Sequence, residues 1–341
     1  MSLLTAKELQ SLSEGFSKVK IAVIGDLMLD RYVFGEVNRM SPEAPVPILD
    51  FSSEETRLGG AANVANNIKS LGANVLLYGI VGNHAGNNDL FVSKCTESGL
   101  LEEDISGVVE DTNRTTTVKV RYISTSHHLR VDYENKQPIS TEIEDELFSR
   151  LQKHISSLQG IILEDYNKGV LTPSLIKRVI DLAKAHNVPT FVDPKFDNFL
   201  EYKGVTLFKP NLKEMQDALG MKLRTDREIN AAGFKLLDML GAENVLLTLS
   251  EKGMRLFERG IGGTGSQPAT PFEIPTMARQ VADVSGAGDT VIATLAVATA
   301  SGASIREAAV IANRAAGLVV EELGIVPIKK EQLFEAMMND E

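Results

Sequence analysis

Lys20-Ile21-Ala22-Val23-Ile24, closed by Gly25-Asp26, sets the fold class. The run is short and almost wholly apolar, as a strand covered on both faces must be. The same signature returns along the chain in Asn74-Val75-Leu76-Leu77-Tyr78-Gly79-Ile80-Val81, Gly160-Ile161-Ile162-Leu163, Pro189-Thr190-Phe191-Val192, Val205-Thr206-Leu207-Phe208 and Asn244-Val245-Leu246-Leu247-Thr248-Leu249. Segments with helical spacing separate these runs, for example Ser174-Leu175-Ile176-Lys177-Arg178-Val179-Ile180-Asp181-Leu182-Ala183. Alternation of this kind predicts an α/β fold, a mostly parallel central sheet with helices on both faces.

Two stretches break the rhythm. Thr115-Thr116-Thr117-Val118-Lys119-Val120-Arg121-Tyr122-Ile123 and His128-Leu129-Arg130-Val131-Asp132-Tyr133 alternate in polarity and are rich in β-branched residues. They predict a half-exposed sheet standing off the main body, either a lid over a pocket or an edge hairpin. Residues 31–51, with Pro42, Pro45 and Pro47, are expected beside it as extended chain. No linker or repeat divides the sequence. One domain over residues 1–341 is expected, with lid segments near 31–51 and 113–134.

Composition narrows the function. A 43% hydrophobic and 24% charged chain is an ordinary globular protein. Its net charge of -11 argues against nucleic acid, whose phosphates demand a cationic surplus. The single cysteine, Cys95, rules out an internal disulfide and fits a reducing compartment; its helical surroundings predict a buried small hydrophobe. Charged Lys7, Glu8, Glu14 and Lys18 interrupt the first twenty residues, so no signal peptide is expected there. The apolar run from Thr290 to Ala300 is too short for a bilayer. A cytoplasmic protein with no membrane partner is the expectation.

Other motifs are decoys. Gly260-Ile261-Gly262-Gly263-Thr264-Gly265 has the dinucleotide spacing, but it leads into Ser266-Gln267-Pro268 instead of a helix, and predicts a loop. A nicotinamide dehydrogenase would rest on that loop alone. No P-loop pattern occurs, and His84, His127, His128, His154 and His186 have no zinc-ligand spacing.

Chemistry concentrates in Asp283-Val284-Ser285-Gly286-Ala287-Gly288-Asp289-Thr290, directly before the apolar helix that starts Val291-Ile292-Ala293-Thr294. Small residues at a helix start let a ligand approach backbone N–H groups, and the dipole favours an anion. Asp289 in that first turn either complements the dipole, with Ser285 as cap, or takes a proton from an attacking hydroxyl. In the second case, N–H groups around Gly286, Ala287 and Gly288 hold a phosphoryl group.

This D-x-x-G-A-G-D pattern resembles the second signature of the ribokinase/pfkB family of sugar kinases. Gly59-Gly60-Ala61-Ala62-Asn63-Val64-Ala65-Asn66-Asn67 resembles the first. The resemblance covers nearly the whole chain and implies a ribokinase-like fold with a small β-strand lid. It also implies ATP as co-substrate, Mg²⁺, and Asp289 as base. By the same resemblance Asp30, in Gly25-Asp26-Leu27-Met28-Leu29-Asp30, binds sugar hydroxyls together with Gly59, Gly60 and Asn63, whereas Asp26 reads as a turn cap. Asn211 and Glu214, in Lys209-Pro210-Asn211-Leu212-Lys213-Glu214, would organise water and Mg²⁺ around the phosphates, Glu214 reaching the metal through water. The same pair also reads as a capping box. Thr248, Ser250, Gly253, Gly286, Gly288 and Asn313 would border the nucleotide. A monovalent cation beside the Asp283 loop is compatible with this reading.

Within the family, the sequence looks most like the D-glycero-β-D-manno-heptose 7-phosphate kinases of lipopolysaccharide-core synthesis. The similarity lies in Asn38-Arg39-Met40-Ser41-Pro42-Glu43-Ala44-Pro45-Val46-Pro47, Glu164-Asp165-Tyr166-Asn167-Lys168-Gly169 and Val192-Asp193-Pro194-Lys195. It implies transfer of the ATP γ-phosphoryl to O1, giving heptose 1,7-bisphosphate. Arg39, Arg130, Lys168 and Lys195 are the candidate cations for the substrate phosphate. Bifunctional relatives add a nucleotidyltransferase with an H-x-G-H motif; none occurs in this sequence, so adenylyl transfer is not expected of it. The rivals are a kinase for another sugar or sugar phosphate and a non-catalytic sugar-binding regulator. Unpaired lid edges predict a homodimer.

Overall fold

The computed structural model describes residues 4–82, 86–125, 127–260, 270–278, 280–322 and 324–339. His84 and, of the 260–265 glycine stretch, all but Gly260 lie outside them. Chain order is α1 (Ala6–Phe16), β1 (Lys20–Gly25), β2 (Leu27–Met40), β3 (Pro47–Gly60), α2 (Ala61–Ser70), β4 (Asn74–Gly82), α3 (Asn87–Glu97) and β5 (Gly107–Asp111). Then come β6 (Thr117–Ile123), β7 (His127–Tyr133), α4 (Thr141–His154), β8 (Gly160–Glu164), α5 (Pro173–Ala185), β9 (Thr190–Asp193), β10 (Leu207–Phe208), α6 (Leu212–Leu219) and α7 (Asp226–Leu240). The chain closes with β11 (Asn244–Thr248), β12 (Met254–Glu258), β13 (Phe272–Ile274), α8 (Ala287–Ala300), α9 (Ile305–Val319) and α10 (Lys330–Asn339).

The described residues form a nine-stranded sheet in the order β13-β12-β11-β10-β9-β8-β1-β4-β5. It is parallel from β11 to β5, with β12 and β13 added antiparallel at one edge. Strand β1 shows why its residues had to be apolar throughout. Ile21 and Val23 point into one hydrophobic cluster, with α2, α8 and α9, while Ala22 and Ile24 point into the other, with α4, α5 and α7. Helices therefore cover both faces, as expected. Cys95 is fully buried in the first cluster.

A second, four-stranded sheet in the order β3-β2-β6-β7 stands apart from the first, so the alternating strands are not an edge hairpin of the main sheet. Residues 31–51 differ from simple extended chain. β2 and β3 are long antiparallel partners, from Leu27 opposite Gly60 to Met40 opposite Pro47. Pro42 and Pro45 fall in the hairpin tip and Pro47 is the first residue of an outer strand, where a missing N–H removes no needed ladder bond. The run 205–208 pairs only at Leu207 and Phe208. β5, β12 and β13 were not foreseen; each is short, and two of them lie at the sheet's edges.

Candidate active site

β1 leads straight into β2 through Gly25-Asp26, and β3 leads straight into α2 through Gly60. The ends of the hairpin are thus tied to the main sheet. Asp26 is buried, and its carboxylate accepts from the backbone N–H groups of Tyr166 (2.7 Å), Lys168 (3.0 Å) and Val170 (3.2 Å). Burial and nearby Asp165 push its carboxyl up to about 6. Asp26 is a clamp for the loop that carries Tyr166. Four residues on, buried Asp30 is ion-paired with Arg121 of β6. A side chain at position 59 would begin 2.1 Å from the Asp30 Oδ2, and one at Gly60 would strike the Asp26 carbonyl oxygen at 2.4 Å, which accounts for the glycine pair.

Asp289 is the third residue of α8 and is buried. One carboxylate oxygen accepts from Asn63 Nδ2 at 2.7 Å, the other from the Tyr166 hydroxyl at 2.9 Å. Burial, with the charge of Asp193 nearby, raises its carboxyl to about 6 even though both hydrogen bonds oppose the shift. Ser285 does not cap α8. The N-cap is Gly286 at φ 78°, with no side-chain cap, and the Ser285 N–H is taken by Asp283 Oδ1 at 2.9 Å. A helix start leaves its first N–H groups without intrahelical acceptors, and the Ala287 N–H finds only the Val284 carbonyl at 3.3 Å.

Carboxylate oxygens of Glu164, Asp193 and Asp289 lie within 4.8 Å of one another, close enough to surround a cation. The Lys209 ammonium already answers Asp193 at 2.7 Å and remains protonated despite burial because of that neighbour. Glu164 is fully buried, and neither of its oxygens has a hydrogen-bond partner among the described residues. Burial, then Asp193 and Asp289, hold it well above the usual carboxylate range.

Thr248, Ser250, Gly253, Gly288 and Asn313 line one cavity of about 320 Å³, together with Ala287 and apolar Met254, Val284, Val291 and Val320. The first turn of α8 therefore separates this cavity from the Asn63–Tyr166 side of Asp289. Asn313 is oriented by donating to the Pro275 carbonyl at 2.8 Å. Asn211 and Glu214 form a capping box: Asn211 Oδ1 receives the Glu214 N–H at 2.9 Å, and Glu214 Oε2 receives the Asn211 N–H at 2.8 Å. The other Glu214 oxygen receives Lys195 Nζ at 2.6 Å. The bridge from Asn211 to Thr248 brings this pair beside the cavity.

Of the four candidate cations, two are gathered at the site. Lys195 stands 5.2 Å from the Tyr166 ring centroid, and Lys168 is paired with Glu134 at 2.6 Å. Arg39 pairs with Asp50 far up the hairpin, and Arg130 pairs with Asp132 on β7; both are largely exposed. Tyr166, Lys209, Lys119 and Arg121 were not singled out from sequence. Tyr166 and Lys209 lie inside motif segments, but only the fold shows that they converge on Asp289 and Asp193.

A buried carboxylate at a helix start, held by two neutral donors beside a cavity of about 320 Å³, suits a phosphoryl-transfer enzyme. The chain matches the pfkB family carbohydrate kinases over residues 18–331 and belongs to that family. It is a sugar kinase, a phosphotransferase. Among curated proteins it is 40% identical over 332 residues to the bifunctional protein HldE of Geobacter metallireducens, covering 97% of this chain and 65% of that protein. It is 44% identical over 318 residues to the bifunctional protein HldE of Caulobacter vibrioides, covering 93% and 63%. The chain thus spans a little under two thirds of these relatives. In fold it resembles Arabidopsis thaliana ribokinase complexed with ribose and ATP, at TM-score 0.72 and 22% identity, covering 94% of this chain and 98% of that one. Phosphofructokinase-2 from Escherichia coli in complex with potassium gives 0.73 at 15% identity, covering 94% and 98%. Among the described residues no helix is long and apolar enough to cross a membrane.

Proposed function

We propose that the protein phosphorylates D-glycero-β-D-manno-heptose 7-phosphate at O1, taking the γ-phosphoryl of ATP. The observation that carries the phosphoryl-transfer geometry is the position of α8. Ala287 and Gly288 face the cavity lined by the nucleotide candidates, and Asp289, one residue on, faces Asn63 and Tyr166. A nucleotide phosphate at that first turn meets free N–H groups, and a sugar hydroxyl on the other side meets the base. The choice of heptose rests on the bifunctional HldE relatives and on the three segments around Arg39, Tyr166 and Asp193.

Asp289 accepts the proton of the attacking hydroxyl on a lone pair left over by its two donors. Asn63 and Tyr166 fix its direction. Asp30, Asn63 and the close backbone at Gly59 and Gly60 bind sugar hydroxyls. Lys168 and Lys195 add positive charge. Oxygen donors suit Mg²⁺. By the family's P-N-x-x-E pattern Glu214 would hold the metal through water, its two carboxylate oxygens also accepting from Lys195 and from the Asn211 N–H. When bound, Mg²⁺ neutralises charge on the nucleotide oxygens. Potassium in the phosphofructokinase-2 structure supports a monovalent cation near the Asp283 loop.

The four-stranded sheet serves as the lid, excluding water from the transfer. Its outer strands β3 and β7, with exposed Phe51, Leu129 and Tyr133, offer edges for a homodimer; sedimentation showing monomer at working concentration would remove that part. The deciding assay is ADP release with heptose 7-phosphate against ribose and fructose 6-phosphate. Preference for either of the latter would sink the heptose assignment.

A further inference from the structure

One face of the four-stranded sheet looks toward Asp289, and its charges are matched almost completely. Arg57 pairs with Glu55, Arg121 with Asp30, and Arg130 with Asp132. At the neighbouring loops Lys168 pairs with Glu134, Lys195 with Glu214 and Lys209 with Asp193. Lys119 of β6 is the exception: among the described residues it has no ion pair. It is half-buried, stands opposite Asp30 on β2 and Asp132 on β7, and places its ammonium 5.0 Å from the Tyr166 ring centroid. The hydroxyl of that same ring is bonded to Asp289, so one tyrosine ring separates the ammonium from the base.

A half-buried ammonium that bonds no carboxylate, its two facing carboxylates being taken by Arg121 and Arg130, is an unfavourable arrangement unless a ligand supplies an anion. Burial lowers the proton affinity of Lys119; Asp30 and Asp132 oppose that shift, while Lys168 and Arg121 add to it. Two further cations, Lys168 and Arg121, stand near it, and the nearby carboxylates Asp30 and Asp132 are already engaged by Arg121 and Arg130. We propose that Lys119 is the specificity-determining contact for the phosphate already carried by the sugar substrate. This rests on the sugar-phosphate reading above. The geometry fits a substrate whose phosphate lies about one sugar ring from the hydroxyl that reacts, since Asp30 sits beside Lys119 and Asp289 lies across Tyr166.

The test is calorimetric binding of heptose 7-phosphate and of the unphosphorylated heptose to the full chain, with Lys119→Met and Lys119→Arg beside wild type. Wild type is expected to prefer the phosphosugar by about tenfold or more, a charge-assisted contact being worth that much. Lys119→Met should erase the preference while leaving binding of the parent sugar and the KM for ATP within about twofold. Lys119→Arg keeps the charge and should retain the preference, which separates loss of the contact from loss of the fold. Equal binding of the two sugars by wild type, or an unchanged preference in Lys119→Met, overturns the proposal. So does a variant whose defect lies in kcat with phosphosugar binding intact, because Lys119 would then touch the transferring group. Tight binding of heptose 7-phosphate without ADP release would instead refute the proposed reaction and leave the Lys119 contact standing.

Discussion

Replacing Asp289 with asparagine separates what this residue does for chemistry from what it does to the fold. The carboxyl is raised from 3.8 to about 6 because it is buried and faces Asp193. Each pH unit of such a rise is worth about 1.4 kcal/mol, so ionised Asp289 destabilises the fold by about 3 kcal/mol relative to its neutral form. The folded state holds this proton more tightly than the unfolded chain. Its stabilising contribution is therefore complete below pH 3.8 and is lost as pH rises through 6. Asp289→Asn escapes that loss. Asn63 and Tyr166 both donate to the carboxylate, and an amide can accept from only one of them, which costs about 1 kcal/mol. The net gain of about 2 kcal/mol corresponds to about 3 °C in Tm for a chain of this length. Thermal unfolding from pH 4 to 8 should show the variant more stable than wild type at pH 8, with the advantage shrinking toward pH 4. Turnover should fall at least about 100-fold with the KM for ATP unchanged. A variant with near-native kcat refutes the base assignment. One whose stability difference does not change with pH refutes the electrostatic argument.

Wild-type kcat/KM should fall on an acid limb near pH 6, where Asp289 of the free enzyme takes up its proton. Tyr166→Phe removes a donor that favours the anion, so a pH–rate profile should show that limb rising by about one pH unit. Gly59→Ala puts a methyl 2.1 Å from Asp30 Oδ2; steady-state kinetics should show a raised KM for the sugar and an unaltered KM for ATP. Glu214→Ala loses one half of the capping box and should lower stability by about 1 kcal/mol in urea titration. If Glu214 also serves the nucleotide, its KM for ATP rises as well, whereas a purely structural role leaves it unchanged.

The central strands were readable from sequence because burial on both faces leaves no choice but an apolar run, as in β1, β4 and β8. β2 was not read as a long strand, since Gly35 and the prolines of the tip mask its alternation and its partner lies beyond the turn. In the candidate site, residues in contiguous signatures stood out, and five of the nucleotide candidates do line one cavity. Tyr166, Lys119 and Lys209 did not stand out. Their significance lies in convergence across β6, the loop after β8 and the end of β10, which no local pattern encodes. Arg39 was drawn in by its motif, yet the long hairpin carries it nine residues from Asp30, about 30 Å along the strand.

The irregularities of that hairpin are placed so that its lower half keeps a strict register. From Leu27 opposite Gly60 to Phe34 opposite Ser53 every rung is regular, which holds Asp30 across from Arg57 and Tyr32 across from Glu55. Above Phe34 come two register shifts, with Ser52 the extra residue on β3 and Asn38 the extra residue on β2. Because a strand's side chains alternate, a single inserted residue turns everything beyond it to the opposite face. One extra residue on each arm restores equal lengths by the tip. Insertions and deletions in this hairpin are therefore tolerable above Phe34, singly if matched on the other arm, while a one-residue change in β2 between Leu27 and Asp30 would rotate Asp30 away from Arg121.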